Sequence, residues 1–437
     1  MGERAAHAEE PAQVPAARQL TMAAAIEIAL SHHPQLAIEA ENIVVAESRA
    51  AADAKLRLPL VGVKANVLLW DRPIVANLGP DIGEITIRER LTGTVDVSVT
   101  QPLSGALVIG RLVARDRAAA EASRAQRDGV RVDIAYQTAE TYLAALQAQT
   151  LGQIARITLD QLDGDLQHAK VLLAAGTLQQ VDVLRLDAER ARVEQQLLQA
   201  DTTALGARRR LAMLLGLPDG TELSLVDIDT TPPELPWSED DAVARARRDR
   251  SDVKVAEAHR HAAELGVAVS RASFVPNVSL LGIYSHAVTA AFGATADSAY
   301  VGLSLDWNLW DWGKRAAEVE GARAQSRQAS LARAALVDQI AVDTRARWQD
   351  ARTVQATLAV TARGLAAAAE AQRLQVTRFA HGAATTVEVL DAETTLANAK
   401  AQAAIARYQY LVAWMALSRA VGIVPPVPPV PPVHEER

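Results

Sequence analysis

The sequence predicts a mainly α-helical protein that is internally duplicated, with long helical hairpins and two β-strands in each copy. Three observations predict this fold class. Alanine is abundant and only 4% of the 437 residues are aromatic, which favours long helices. Apolar residues recur three or four positions apart over very long proline-free stretches. Similar turn segments also recur at a fixed distance along the chain.

The duplication is centred on two glycine turns. Gly176 and Gly382 lie 206 residues apart, and each is followed six residues later by an acid, Asp182 or Glu388. The same offset relates Leu103 to Leu309, Tyr142 to Trp348, Leu205 to Leu411 and Gly216 to Gly422. An offset that holds without a gap over this length indicates two copies of one structural unit.

The repeats divide the chain into five segments. We expect a disordered leader over residues 1–19, a first repeat over 20–217, a linker with a short strand over 218–236, a second repeat over 237–423 and a proline-rich disordered tail over 424–437. Pro59 matches Pro276 at an offset of 217, so the first repeat contains 11 additional residues. Turn signals place them in a surface loop around residues 72–90.

Each repeat is expected to read helix, strand, strand, long helix, turn, second long helix. In the first repeat, Thr21 caps a helix near residues 22–30, and Pro34 begins another that ends near Leu56. A helix over residues 106–174 would be on the order of 100 Å long, so it needs a coiled-coil-like partner. The partner is the helix over 178–215, and the second repeat has the equivalent pair over 315–380 and 385–421.

Four segments of about ten residues alternate apolar and polar side chains, as strands with two different faces do. They cover residues 60–70, 94–100, 275–285 and 300–309. Strands of this length cross a bilayer when tilted, although two hairpins of a soluble sandwich would alternate in the same way. The aromatic residues at the strands and their ends fit a membrane-interface girdle. They are Trp70, Tyr284, Tyr300, Trp307, Trp310 and Trp312.

Several classes of function are disfavoured. The net charge of −7 gives no electrostatic reason to bind nucleic acid, and Arg208 to Arg210 form only a short basic cluster. The absence of cysteine excludes disulfides and thiolate metal sites. The pairs His32–His33 and His259–His261 lack metal-binding spacing, so we interpret them as surface residues. No nucleophile or nucleotide motif occurs, so neither an enzyme nor a cofactor is expected.

The second hairpin carries a resemblance to a known family. The run from Gly382 to Leu411, GAATTVEVLDAETTLANAKAQAAIARYQYL, resembles the C-terminal helical hairpin of TolC-type outer membrane efflux channels, and so does the layout of residues 20–423. The resemblance implies a homotrimer in the cell outer membrane with a large periplasmic portion. Four strands per protomer would contribute to a twelve-stranded transmembrane β-barrel, and the helical hairpins would form a periplasmic α-barrel.

The same resemblance implies a passive exit duct of a tripartite efflux or type I secretion system. Its partners would be outer membrane lipid, a periplasmic adaptor (membrane fusion) protein and an inner-membrane transporter that supplies the energy. The cargo would be small molecules or proteins. Two alternatives come from other classes of protein. One is a periplasmic adaptor or coiled-coil scaffold, which would also contain a long hairpin, and the other is a helical enzyme.

The resemblance also implies site residues at the hairpin turns. By position, Glu388 and Asp391 match the acids that line the family's periplasmic constriction, and Asp182 matches the acid of the preceding hairpin. Gly176, Thr177, Gly382 and Ala383 would form the tips on which the adaptor docks.

The sequence departs from the family pattern at the gate. Ala384 stands where an arginine would form a bridge, and Phe379 stands where a tyrosine would donate its hydroxyl. The closed state would then depend on packing of Phe379, or on Arg378 or Arg185, and the sequence does not decide among them.

Overall fold

The computed structural model describes residues 19–79, 83–218, 220–228, 232–288 and 296–426. The predicted leader before residue 19, and the predicted tail from residue 427, lie outside these residues. Within the described ranges, none of the helices has both the length and the apolar content that a membrane span requires.

The predicted elements occur in the predicted order in both repeats, and the first repeat contains two additional short strands. The first repeat contains α1 Met22–His32, α2 Pro34–Lys55, β1 Leu60–Leu69, β2 Ile74–Asn77, β3 Glu84–Arg88, β4 Leu91–Pro102, α3 Gly105–Ala174 and α4 Gln180–Leu214. The second contains α5 Glu239–Asp249, α6 Ser251–Ala272, β5 Asn277–Ala287, β6 Asp297–Asp306, α7 Lys314–Ala380 and α8 Thr386–Val421. We refer to α3 with α4 as the first hairpin, and to α7 with α8 as the second hairpin.

Local signals account for the helix boundaries. The Thr21 hydroxyl accepts a hydrogen bond from the Ala24 N–H at 3.3 Å and so caps α1. Ser238 caps α5, whose first turn carries three acids that complement the helix dipole. With 70 residues, α3 is about 105 Å long.

The structure adds detail to one sequence expectation and contradicts another. The surface segment expected around residues 72–90 contains β2 and β3, which pair as an antiparallel hairpin. These strands have four and five residues, too few for a clear alternation signal. The short strand expected in the linker is not found among its described residues, where Leu20 and Leu225 make a single parallel bridge. Next to this bridge, the Leu20 N–H donates to the Ser224 carbonyl and the Val226 N–H donates to the Leu20 carbonyl. The Val226 carbonyl accepts from the Tyr142 hydroxyl.

The chain folds into two compact units that cut across the repeats. One unit comprises residues 1–38, 126–253 and 336–437, and the other comprises residues 39–125 and 254–335. Each unit therefore contains material from both copies, so the repeat boundaries describe the duplication and not the compact units.

The core of the first unit surrounds Tyr142, which is completely buried. Its hydroxyl lies 2.7 Å from the carbonyl oxygen of Leu20 and 2.6 Å from that of Val226. The indole N–H of Trp414 on α8 donates to the carbonyl of Glu234 at 3.3 Å. Side chains of the long helices thus hold the backbone of the linker that joins the repeats.

Besides the β2–β3 hairpin, the second unit contains a four-stranded antiparallel sheet with strand order β1-β4-β5-β6. Pairing of β4 with β5 joins the two repeats, with Val99 opposite Gly282. Because side chains alternate between faces, the register fixes which residues share a face. The apolar sheet face includes the rows Val61, Val99, Gly282, Val301 and Val63, Val97, Tyr284, Ala299. The polar sheet face includes the rows Gly62, Ser98, Ile283, Tyr300 and Lys64, Asp96, Ser285, Ser298.

Candidate functional site

The two hairpin turns have the same backbone geometry. Gly176 and Gly382 adopt left-handed conformations, with φ of 79° and 71°. In each turn the glycine N–H donates to the carbonyl three residues earlier, and the next N–H, of Thr177 or Ala383, donates to the carbonyl five residues earlier. This pattern ends a helix on a residue that favours glycine. The predicted tip residues Gly176, Thr177, Gly382 and Ala383 therefore occupy equivalent and exposed turns.

The helices that follow the turns start differently. Thr385 and Glu388 form a capping box at the start of α8, in which the Glu388 carboxylate accepts from the Thr385 N–H at 2.7 Å. Hydrogen bonds from Thr385, first from its backbone N–H, lower the pKa of Glu388. Gln179, at the equivalent position before α4, makes no side-chain cap. Glu388 is thus held as a carboxylate at the start of its helix.

The other two predicted acids lie near the starts of the same pair of helices, Asp182 in the first turn of α4 and Asp391 in the second turn of α8. Asp182 is mostly buried, and its carboxylate lies 3.8 Å from the Arg185 guanidinium one turn later. Asp391 is exposed on α8, three residues after Glu388. The turns therefore carry acids on both hairpins, as predicted from the duplication.

Phe379 lies where the two hairpins meet. Its half-buried ring lines a cavity of about 50 Å³ together with Leu172 and Leu186 of the first hairpin and Leu390 of the second. The two arginines considered with it stay within their own hairpins. Arg378 donates to the Ala383 carbonyl at 3.1 Å, and Arg185 pairs with Asp182. Of the three residues, Phe379 is the one that bridges the hairpins.

The same cavity contains charged groups that the sequence analysis missed. It is also lined by Asp165 and His168 of α3 and by Glu393 of α8. Glu393 is half-buried, and its carboxyl shares this cavity with that of Asp165. The sequence does indicate where Glu393 lies on α8. It follows Val389 by four residues, so the two side chains share one face of the helix.

The apolar sheet face is exposed over a wide area. Val63 on β1 is 70% exposed and Leu303 on β6 is 72% exposed. On the polar sheet face, Lys64 lies opposite Asp96, and the Ser285 hydroxyl donates to Asp96 at 2.5 Å. An antiparallel sheet with a wet face normally buries its other face, so the apolar sheet face requires a non-aqueous environment.

Aromatic residues lie at both ends of this sheet. The Trp70 indole N–H donates to the Thr92 hydroxyl at 2.9 Å just beyond β1. At the opposite end of the strands, Trp307 donates to the Phe274 carbonyl at 3.3 Å. Trp310 and Trp312 follow it, and their rings meet edge to face with centroids 5.8 Å apart.

One aromatic residue departs from the predicted girdle. The register puts Tyr284 on the apolar sheet face but puts Tyr300 on the polar sheet face, in the row with Gly62 and Ser98. Tyr300 and Val301 are neighbours, and neighbouring residues of a strand point to opposite faces. Tyr300 therefore does not share a surface with Tyr284.

The chain is similar in sequence and in fold to known outer membrane proteins. The sequence model of the outer membrane efflux protein family matches residues 25–217 and 242–423. The chain is 26% identical to the pyoverdine export outer membrane protein OpmQ of Pseudomonas putida, over 91% of this chain and 84% of that protein. It is 24% identical to the efflux protein BepC of Brucella suis, over 76% and 73%. Its fold is similar to that of VceC from Vibrio cholerae, with a TM-score of 0.77 at 20% identity over 92% and 96% of the two chains.

Proposed function

Because the chain belongs to the outer membrane efflux protein family, we propose that three copies assemble into a passive channel that serves as the exit duct of a tripartite efflux system. The observation that carries this proposal is the sheet with one apolar and one polar face. In such a channel the apolar sheet face contacts outer membrane lipid, and the polar sheet face lines a water-filled lumen. The family match argues against the alternatives of an adaptor or a helical enzyme.

Two features support assembly with other copies of the chain. Strands β1 and β6 are the edges of the sheet, so three sheets joined edge to edge would close into twelve strands with no free edge. On α4, Leu184, Leu198 and Leu205 are exposed at spacings that are multiples of seven. In the second repeat, Leu411, the equivalent of Leu205, is buried. An exposed heptad stripe of this kind fits a helix of a neighbouring copy.

In the trimer, Glu388 and Asp391 would repeat three times around the axis at the narrow periplasmic end, with Asp182 on the adjoining hairpin. Six carboxylates placed around one pore would favour cations over anions. The capping bonds that keep Glu388 ionised support this role. Ala384 and Phe379 cannot make the polar links that an arginine and a tyrosine would make at these positions. Packing of Phe379 between the hairpins would hold this end closed instead.

The external partners follow from the same arrangement. A periplasmic adaptor would dock on the turns at Gly176, Thr177, Gly382 and Ala383, and an inner-membrane transporter would supply the energy. The cargo would be small molecules or proteins selected by that transporter. Because one relative is named for pyoverdine export, a small-molecule cargo is the first to test.

The experiment is single-channel recording of the purified protein in a planar bilayer, after measurement of its mass in detergent. We expect a trimer with cation-selective conductance. The double substitution E388Q/D391N should reduce the cation selectivity, and T385A is the matched control because it breaks the capping box without removing a charge. F379A should increase the time spent open. A stable monomer would contradict the assembly, and unchanged selectivity in E388Q/D391N would remove both acids from the constriction.

A further inference from the structure

We propose that Glu393 and Asp165 form a proton-dependent latch between the two hairpins, closed when Glu393 is protonated and weakened when both carboxyls are ionised. The latch involves residues outside the acids at the helix starts. It differs from the Phe379 contact because it can be switched by pH.

The geometry places Glu393 at a junction of three long helices. Its carboxyl on α8 lines the cavity between the hairpins together with the Asp165 carboxyl on α3 and the Phe379 ring on α7. A protonated Glu393 can donate its O–H to the Asp165 carboxylate across this cavity. One proton therefore allows a continuous hydrogen-bonded bridge from the first hairpin to the second.

Burial and the neighbouring charge favour the protonated form. Desolvation by burial, followed by repulsion from Asp165, raises the pKa of Glu393 to about 7. A raised carboxyl pKa means that the latched state binds a proton more tightly than the open state does. The latch is therefore fully effective below the ordinary carboxyl pKa of about 4.3, and it is lost as the pH rises through about 7.

Few other groups can titrate at this place. Among the described residues that line the cavity, Asp165 and His168 of α3 are the other titratable groups. The first hairpin's second helix contributes Leu186, and α7 contributes Phe379.

The latch and Phe379 occupy the same cavity, so they should loosen together. Two ionised carboxylates in a partly buried site repel each other, and separation of the hairpins is the movement that relieves the repulsion. The pH dependence of the contact rests on this geometry alone. Only its consequence, that the periplasmic end opens more readily at higher pH, rests on the proposed channel.

The test is hydrogen–deuterium exchange of the full-length protein, comparing wild type with E393Q at equal pH so that intrinsic exchange rates cancel. Glutamine keeps the size of the side chain and donates an N–H to Asp165 at every pH. At pH 5.5 the two proteins should exchange alike over residues 165–186 and 372–393. At pH 8.5 the wild type should exchange about threefold faster or more in these segments.

Three further variants separate the latch from other causes. D165N removes the repulsion, so it should keep the slow exchange of E393Q at pH 8.5. E370Q is the matched control, because the exposed Glu370 on α7 has a pKa lowered by Arg373 and should not change the comparison. H168Q should retain the pH dependence. Equal exchange of wild type and E393Q at pH 8.5 would overturn the proposal, as would a pH dependence that H168Q abolishes. Neither result depends on conductance.

Discussion

The hydroxyl of Tyr142 lies 2.6 Å from the carbonyl oxygen of Val226, so a side chain of α3 holds the linker between the repeats. Replacing Tyr142 with phenylalanine removes this buried O–H donor, while the Leu20 carbonyl keeps its hydrogen bond from the Val226 N–H. We expect a loss of about 1–3 kcal/mol in the free energy of unfolding. Thermal unfolding followed by circular dichroism should show a lower Tm. Y136F is the control on the same helix, since the Tyr136 hydroxyl donates to Glu140 at the surface.

The duplication provides a matched pair of variants at the hairpin turns. T385A removes the capping box of α8 and should cost about 1 kcal/mol in local stability. Q179A changes the equivalent position of the first hairpin, where no cap exists, and should cost little. Hydrogen–deuterium exchange of the first turns of α8 and α4 measures both effects. Equal acceleration in the two variants would contradict a stabilising capping box.

The two faces of the sheet should respond differently to the same charge. V63R places an arginine on the apolar sheet face, where a lipid-facing charge costs about 2–4 kcal/mol at the bilayer midplane. S98R places one on the polar sheet face, and its cost should be much smaller. The measurement is the amount of protein recovered in the outer membrane fraction. If S98R were depleted as strongly as V63R, the faces would not have the assigned environments.

Helix positions could be predicted closely because local residues determine them. Thr385 and Gly422, which bound α8, are an N-cap and a left-handed C-cap that can be read without knowledge of the fold. The strands were predicted less well. The strand expected over 300–309 lies at Asp297–Asp306, because the strand ends depend on pairing with β5. The hairpin of β2 and β3 is too short to give a periodic signal.

The site residues show the same difference between local signals and long-range contacts. Asp182 and Glu388 could be found because the duplication marks them, whereas spacing places Glu393 on a helix face but does not show its role. Its role depends on Asp165, which is 228 residues away in the chain, and a contact between distant helices leaves no local pattern. Tyr300 differs for another reason, since its aromatic character suggests the membrane interface whereas its position next to Val301 in the strand puts it on the polar sheet face.

The pairing of β4 with β5 also has a kinetic consequence. Val99 and Gly282 face each other across 183 residues of sequence, so β4 pairs with β1 long before its second neighbour has emerged from synthesis or export. During that interval, the second edge of β4 presents unsatisfied backbone groups beside an apolar surface, which is the usual condition for aggregation. Such a chain should depend on a chaperone that covers nascent strands. The delay should lengthen if synthesis or export of the long helices between β4 and β5 is slowed.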